Sequence, residues 1–134
     1  MKVVIIDGQG GRLGQLLCES IAKEHFNCEL LAIGTNSIAT SVMLKAGADQ
    51  AATGENPVIV ACRDADVIIG PIGIISADSL LGEITPAMAV AVGQSKAMKL
   101  LLPGRNCNNQ VVGAKHSTMG DMVKATVECL KEFF

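Results

Sequence analysis

Apolar residues in this chain come in two kinds of block. Lys2-Val3-Val4-Ile5-Ile6 is an unbroken, β-branched run, the pattern of a strand buried on both faces. Asp7-Gly8-Gln9-Gly10-Gly11 follows at once, and then Leu13, Leu16, Leu17 and Ile21 recur at helical spacing to about Glu24. The sequence therefore opens as strand, glycine-rich turn, helix. Glu29 to Ile33 predicts a second strand, ending at Gly34-Thr35-Asn36. Ala39, Val42, Met43 and Ala46 mark a second helix, with Ser37 as its expected cap and Gly47 as its stop.

A short third strand is expected over Gln50 to Ala52. A turn then leads into a helix with Pro57 at its first position. Asp66-Val67-Ile68-Ile69-Gly70 predicts a fourth strand, followed by a long loop from Pro71 to Ile84. Thr85-Pro86 then caps and starts a helix through Ala87, Met88, Val90 and Val92 that is apolar on nearly every side. Such a helix needs cover on more than one side, which a partner subunit would supply. Met98 to Leu102 predicts a fifth strand, and Val111-Val112 a short sixth. Thr118 with Asp121 suggests a capping pair before a last helix, whose stripe runs Met122, Val123, Val127, Leu130 and Phe134. Strands alternating with helices imply parallel pairing through right-handed crossovers. The expectation is an α/β chain: a single-domain Rossmann-like three-layer sandwich, with a mainly parallel sheet of five to six strands.

Composition narrows the function. The 134 residues suit one domain, 1–134, and 49% hydrophobic with 18% charged residues excludes a disordered chain. Net charge is -2, the basic residues are scattered, and the only aromatics are three Phe. Nucleic-acid binding, which needs a basic patch and stacking rings, is not expected. The longest apolar stretch, Val67 to Ile75, is too short to span a bilayer, and the first residues are too few for a signal peptide. A cytoplasmic protein is expected. Five cysteines form no C-x-x-C pair; four sit inside apolar segments and fit small hydrophobes, Cys107 being the exception, and no Cys/His cluster suggests a metal.

In an open parallel sheet, ligands bind beyond the carboxyl ends of the strands. The candidate ligand-binding residues are accordingly Gly8, Gln9, Gly10, Gly11, Arg12, Leu13 and Gly14 after the first strand, and Gly34, Thr35 and Asn36 after the second. Gly70, Pro71, Ile72 and Gly73 join them after the fourth, and the Gly104-Arg105-Asn106-Cys107 segment leaves the fifth. The first loop approaches the G-x-G-x-x-G phosphate turn with its last glycine one residue late, and lacks the lysine of a P-loop. Asp7 would repel a phosphate unless a metal, Arg12 or protonation intervened; its simpler role is to accept backbone N–H bonds and hold the turn. The acidic residue that reads the ribose of NAD, or the Arg that favours NADP, is missing after the second strand, so NAD or NADP is a secondary cofactor expectation.

No tyrosine is present for a Tyr-x-x-x-Lys reductase. His25 sits at a helix end and suits a C-terminal charge. Weak catalytic candidates are Asp78 and Glu83 as an acid–base pair, and Cys107 with His116 as its base. Asp7-Gly8-Gln9-Gly10-Gly11, Gly34 to Thr40, Ala52 to Asn56, Gly70 to Ile74 and Asp78 to Pro86 together resemble a family of small bacterial proteins classed as a domain of unknown function. The resemblance implies a Rossmann-like fold and carries over no activity or catalytic residue. The functional expectation is a sensor or carrier module for a nucleotide or other phosphorylated small ligand. The alternatives are a small enzyme on a phosphorylated or carboxylated metabolite, with its site completed across a subunit interface, and a purely structural homo-oligomer.

Overall fold

A computed structural model describes residues 1–104, 108–115 and 117–134. Five parallel strands form one sheet: β1 (Lys2–Asp7), β2 (Glu29–Gly34), β3 (Gln50–Thr53), β4 (Val67–Pro71) and β5 (Met98–Leu102), in the order β3-β2-β1-β4-β5. The fully apolar run takes the central place. Val4 lies between Leu31 of β2 and Ile68 of β4, so every residue around it is apolar.

Five helices cover the sheet: α1 (Arg12–Glu24), α2 (Ser37–Ala46), α3 (Glu55–Cys62), α4 (Pro86–Gln94) and α5 (Met119–Lys131). Because side chains alternate along a strand, β1 feeds two separate cores. Val3 and Ile5 pack with Leu17, Ile21, Met43 and Leu130 of α1, α2 and α5. Val4 and Ile6 pack with Val58, Met88 and Val92 of α3 and α4, and with Ile74 of a 3₁₀ turn over Ile72–Ile75. The three-layer α/β sandwich is as expected.

The differences are local and have local causes. Asn36, not Ser37, caps α2: its side-chain oxygen accepts the N–H of Ala39 at 2.9 Å, which puts Ser37 inside the helix. Helix α3 starts at Glu55, two residues before Pro57, because the first-turn N–H groups have no intrahelical partner and proline is tolerated there. Val111 and Val112 form no sixth strand. They sit in an exposed turn, Val112 at 93% exposure, and pair with no strand among the described residues. Phe134 lies beyond α5 and stacks on Phe26, ring centroids 4.6 Å apart. Thr118 caps α5 through the N–H of Asp121 as expected, and His25 closes α1 as its C-cap.

Among the described residues the cysteines are free; Cys18 and Cys62 are buried, Cys28 half-buried. Cys129 is exposed rather than buried, because α5 buries the Val123, Thr126, Val127, Leu130 stripe and position 129 falls outside it. Helix α4 buries Met88, Ala89 and Val92 but leaves Val90 half-exposed to solvent. No helix among the described residues is long and apolar enough to cross a membrane.

Ile5 has no exposed surface at the centre of β1. Ile5→Ala is expected to lower the unfolding free energy by about 2–5 kcal/mol. Urea titration followed by circular dichroism measures this, and a loss below about 1 kcal/mol would contradict the packing described.

Candidate functional site

The strand order reverses between β1 and β4, since β1 connects outward to β2 and β3 before the chain returns to β4. A cavity of about 850 Å³ opens at that point, beyond the carboxyl ends of the strands. It is lined by Asp7 and Gly8 at the end of β1, Pro71 at the end of β4 with Gly73 of the 3₁₀ turn, and Pro103 and Gly104 just after β5. Leu13 of α1 lines it, and so do Lys115 and the start of α5 (Thr118, Met119, Asp121, Met122), the helix that shares a core with α1.

Asp7 is the buried polar group at the centre. Its two carboxylate oxygens accept the N–H of Gly8 at 2.8 Å and of Gly14 at 2.7 Å, so the carboxylate holds both ends of the glycine-rich turn. Burial pushes its pKa above the usual aspartate value, although both amides favour the charged form. Asp7 thus acts as a turn anchor whose side chain also borders the cavity.

Glu83 comes from the other side of the sheet and reaches the same turn. Its carboxylate accepts the N–H of Gln9 at 3.0 and 3.2 Å, the Thr35 hydroxyl at 2.7 Å and the Asn36 amide at 2.7 Å. Asn36 also donates to the Gln9 carbonyl at 2.9 Å. Burial pushes the Glu83 pKa up, but the bonds from Thr35, Gln9 and Asn36 outweigh it and leave it below the usual glutamate value. The segment that carries Glu83 is tightly wound: Asp78 N–H donates to the Ile84 carbonyl at 2.7 Å, and the buried Ser79 hydroxyl bonds the Gly73 carbonyl. Leu80 and Leu81 both take left-handed backbone angles, φ 56° and 57°, a costly conformation for a side-chain-bearing residue.

The glycines of the first turn divide by what surrounds them. Gly11 has φ +73°, and a Cβ there would meet the Ala39 Cα of α2 at 2.7 Å. Gly14 is pressed between Met43 and Asp7, and Gly8 between Thr35, Leu80 and Glu83. Gly10 differs: it is exposed and a Cβ there meets nothing. Three of the four glycines are therefore explained by packing within the chain, and one faces outward.

The cavity brings together Gly8, Gln9, Leu13, Pro71 and Gly73 of the expected set, and Asp7, expected to hold the turn, lines it as well. Gly34, Thr35 and Asn36 stand on the β1–β2 side, around Glu83 rather than around the cavity. Gly70 packs on the Ile6 carbonyl, and Arg12 is exposed at the start of α1. Asp78 is exposed while Glu83 is enclosed by donors, so the two carboxylates have unlike surroundings. Arg105, Asn106, Cys107 and His116 lie outside the described residues. The buried Cys18 and Cys62 thiols are pushed up to about 12 and about 11 by burial, which suits packing rather than nucleophilic chemistry. No three His, Cys, Asp or Glu side chains among the described residues are placed to hold a metal ion. The sequence reading missed Lys115 and the start of α5, Thr118 to Met122; the capping pair at Thr118 was its one signal, because it fixes where that helix starts.

A family model described as Domain of unknown function (DUF3842) matches residues 2–134. The chain belongs to the DUF3842 family. No curated protein matches it. Among solved structures, this DUF3842 chain is similar to a dodecameric FMN-dependent UbiX-like decarboxylase from Escherichia coli O157:H7, at 18% identity and a TM-score of 0.48, over 98% of this chain and 77% of that one. Identity this low carries no information about shared chemistry.

Two outcomes test this geometry. Gly11→Ala is expected to cost about 1–3 kcal/mol, combining a strained backbone with overpacking, whereas Gly10→Ala leaves stability within about 0.5 kcal/mol; equal effects in thermal melts would contradict the turn. A carboxylate with a lowered folded-state pKa stabilises above its unfolded pKa, and that contribution is lost as pH falls through the folded value. Glu83 should therefore stabilise at neutral pH, and the Tm gap between wild type and Glu83→Gln should shrink below about pH 4.5. Asp7, shifted the other way, destabilises when ionised and is relieved by the same acidification, in both proteins alike. A gap unchanged from pH 7 to pH 3 would show that the Glu83 charge is not what the donors hold.

Proposed function

We propose that this chain binds a nucleotide or other phosphorylated small molecule in the cavity over β1, β4 and β5, as a sensor or carrier module. The observation that carries the reading is the meeting of two helix N-termini at one cavity on the strand-order reversal. No described residue accepts the N–H of Arg12 or Leu13 in the first turn of α1. Thr118, Met119 and Met122 bring the start of α5 to the same cavity, which Lys115 also lines. Unmatched amides and the positive ends of helix dipoles favour a phosphate. The volume falls within the range of small-ligand pockets. Asp7 and Asp121 give the same cavity acceptors for hydroxyl or amino groups, which a sugar or base supplies. Self-association through the apolar outer side of α4 accompanies this proposal, with Val90 at its centre.

Having no Tyr or Trp, the pure protein absorbs little near 280 nm, and a co-purified nucleotide would dominate its ultraviolet spectrum. Mass spectrometry of the denatured sample then identifies it. For stripped protein, thermal melts with AMP, FMN, NAD and inorganic phosphate give the second readout. A ligand at about 100 times its Kd adds about 2.7 kcal/mol, a rise in Tm of several degrees. Gly104→Leu adds bulk at a residue that lines the cavity, where among the described residues a Cβ meets Pro71 in ordinary contact. It is expected to weaken binding at least tenfold with an unchanged Tm of the free protein. A clean spectrum together with no shift for any of the four ligands would overturn the reading.

A further inference from the structure

We propose that Glu83 is a specificity-determining residue: its carboxylate occupies the half-site at the ends of β1 and β2, so the neighbouring cavity accepts a single nucleotide unit and turns away dinucleotides. This rests on the phosphorylated-ligand reading above.

An open sheet with this strand order has a crevice with two sides. A dinucleotide lies across it, one unit over the strands on each side of the reversal. In this chain the two sides are unlike. The β4–β5 side is an open cavity. On the β1–β2 side, the donors that an incoming phosphate or ribose would use are the Gln9 N–H, the Thr35 hydroxyl and the Asn36 amide. All three converge on Glu83 at 2.7 to 3.2 Å. The donor set suits an oxyanion, and the chain provides that oxyanion itself.

The occupant is held from both ends. It enters across β1 with Leu80 buried against Gly8, while the Asp78 N–H bond to the Ile84 carbonyl closes the turn behind it. Consecutive left-handed residues at Leu80, Leu81 and Gly82 give that turn its sharpness. A strained turn that delivers one carboxylate onto three donors is a built contact, since strain of this kind persists only where the surroundings fix it.

The test is calorimetric titration of wild type and Glu83→Ala with AMP and NAD, together with acetate titration of ¹⁵N-labelled protein. Wild type is expected to bind AMP at least tenfold more tightly than NAD. Glu83→Ala is expected to close that gap to threefold or less by improving NAD binding. In the variant, acetate should enter the vacated corner and move the Gln9 amide resonance, which it leaves in place in wild type. Glu83→Ser, whose hydroxyl keeps one partner for the donors, replaces Glu83→Ala if that variant does not fold. An unmoved Gln9 amide in the variant, or an AMP-to-NAD ratio equal to that of wild type, overturns the role of Glu83. If acetate moves the amide but neither nucleotide binds either protein, the phosphorylated-ligand reading has failed, and the nucleotide specificity with it.

Discussion

The two hydrogen bonds that the Asp7 carboxylate accepts from the amides of Gly8 and Gly14 set the turn at the cavity edge of this fold. A buried carboxylate is unfavourable unless its charge is met by donors. Here one residue meets donors on both sides of a tight turn, so the end of β1 and the start of α1 are set by a single side chain. That placement in turn presses Gly14 against Met43 of α2 and Gly11 against Ala39. The helix that backs the cavity and the helix beside it therefore take their positions from the same carboxylate.

How much of this was legible in the sequence depends on the range of the interactions. The strands were, because burial on both faces demands unbroken apolar runs such as Val3 to Ile6 and Val67 to Ile69. Caps set by a neighbour were also legible at Thr85 and Thr118. At α2 the cap moved to Asn36, whose side chain serves Glu83 as well as Ala39, a choice that local propensity does not contain. Val111-Val112 shows the opposite error: two β-branched residues make a strand only when they pair with another, and among the described residues these pair with none.

The candidate site was legible as a place and not as a set of contacts. Glycines after a strand predict close backbone approach, but the sequence does not say what approaches. For Gly8, Gly11 and Gly14 it is the chain itself. Glu83 was read as one of two carboxylates, with Asp78, in the long loop from Pro71 to Ile84. Its contact with Gln9 spans 74 positions, which no spacing rule reaches. With Asp78 it was a weak acid–base candidate; in the structure its carboxylate accepts hydrogen bonds from Gln9, Thr35 and Asn36.

Two carboxylates beside a glycine-rich turn also decide which way a phosphorylated guest would lie. A unit negative charge about 4 Å from a carboxylate costs about 4 kcal/mol at an effective dielectric of about 20. A helix N-terminus returns about 0.3–2 kcal/mol. Repulsion wins wherever a phosphate comes close to Glu83 or ionised Asp7. It loses only at distance, where the Arg12 and Leu13 amides, Lys115 and the start of α5 remain. The phosphate would therefore sit toward the start of α5, with the neutral or cationic part of the molecule over Asp7. This is the reverse of the order in which the glycine-rich turn, taken alone, would arrange them.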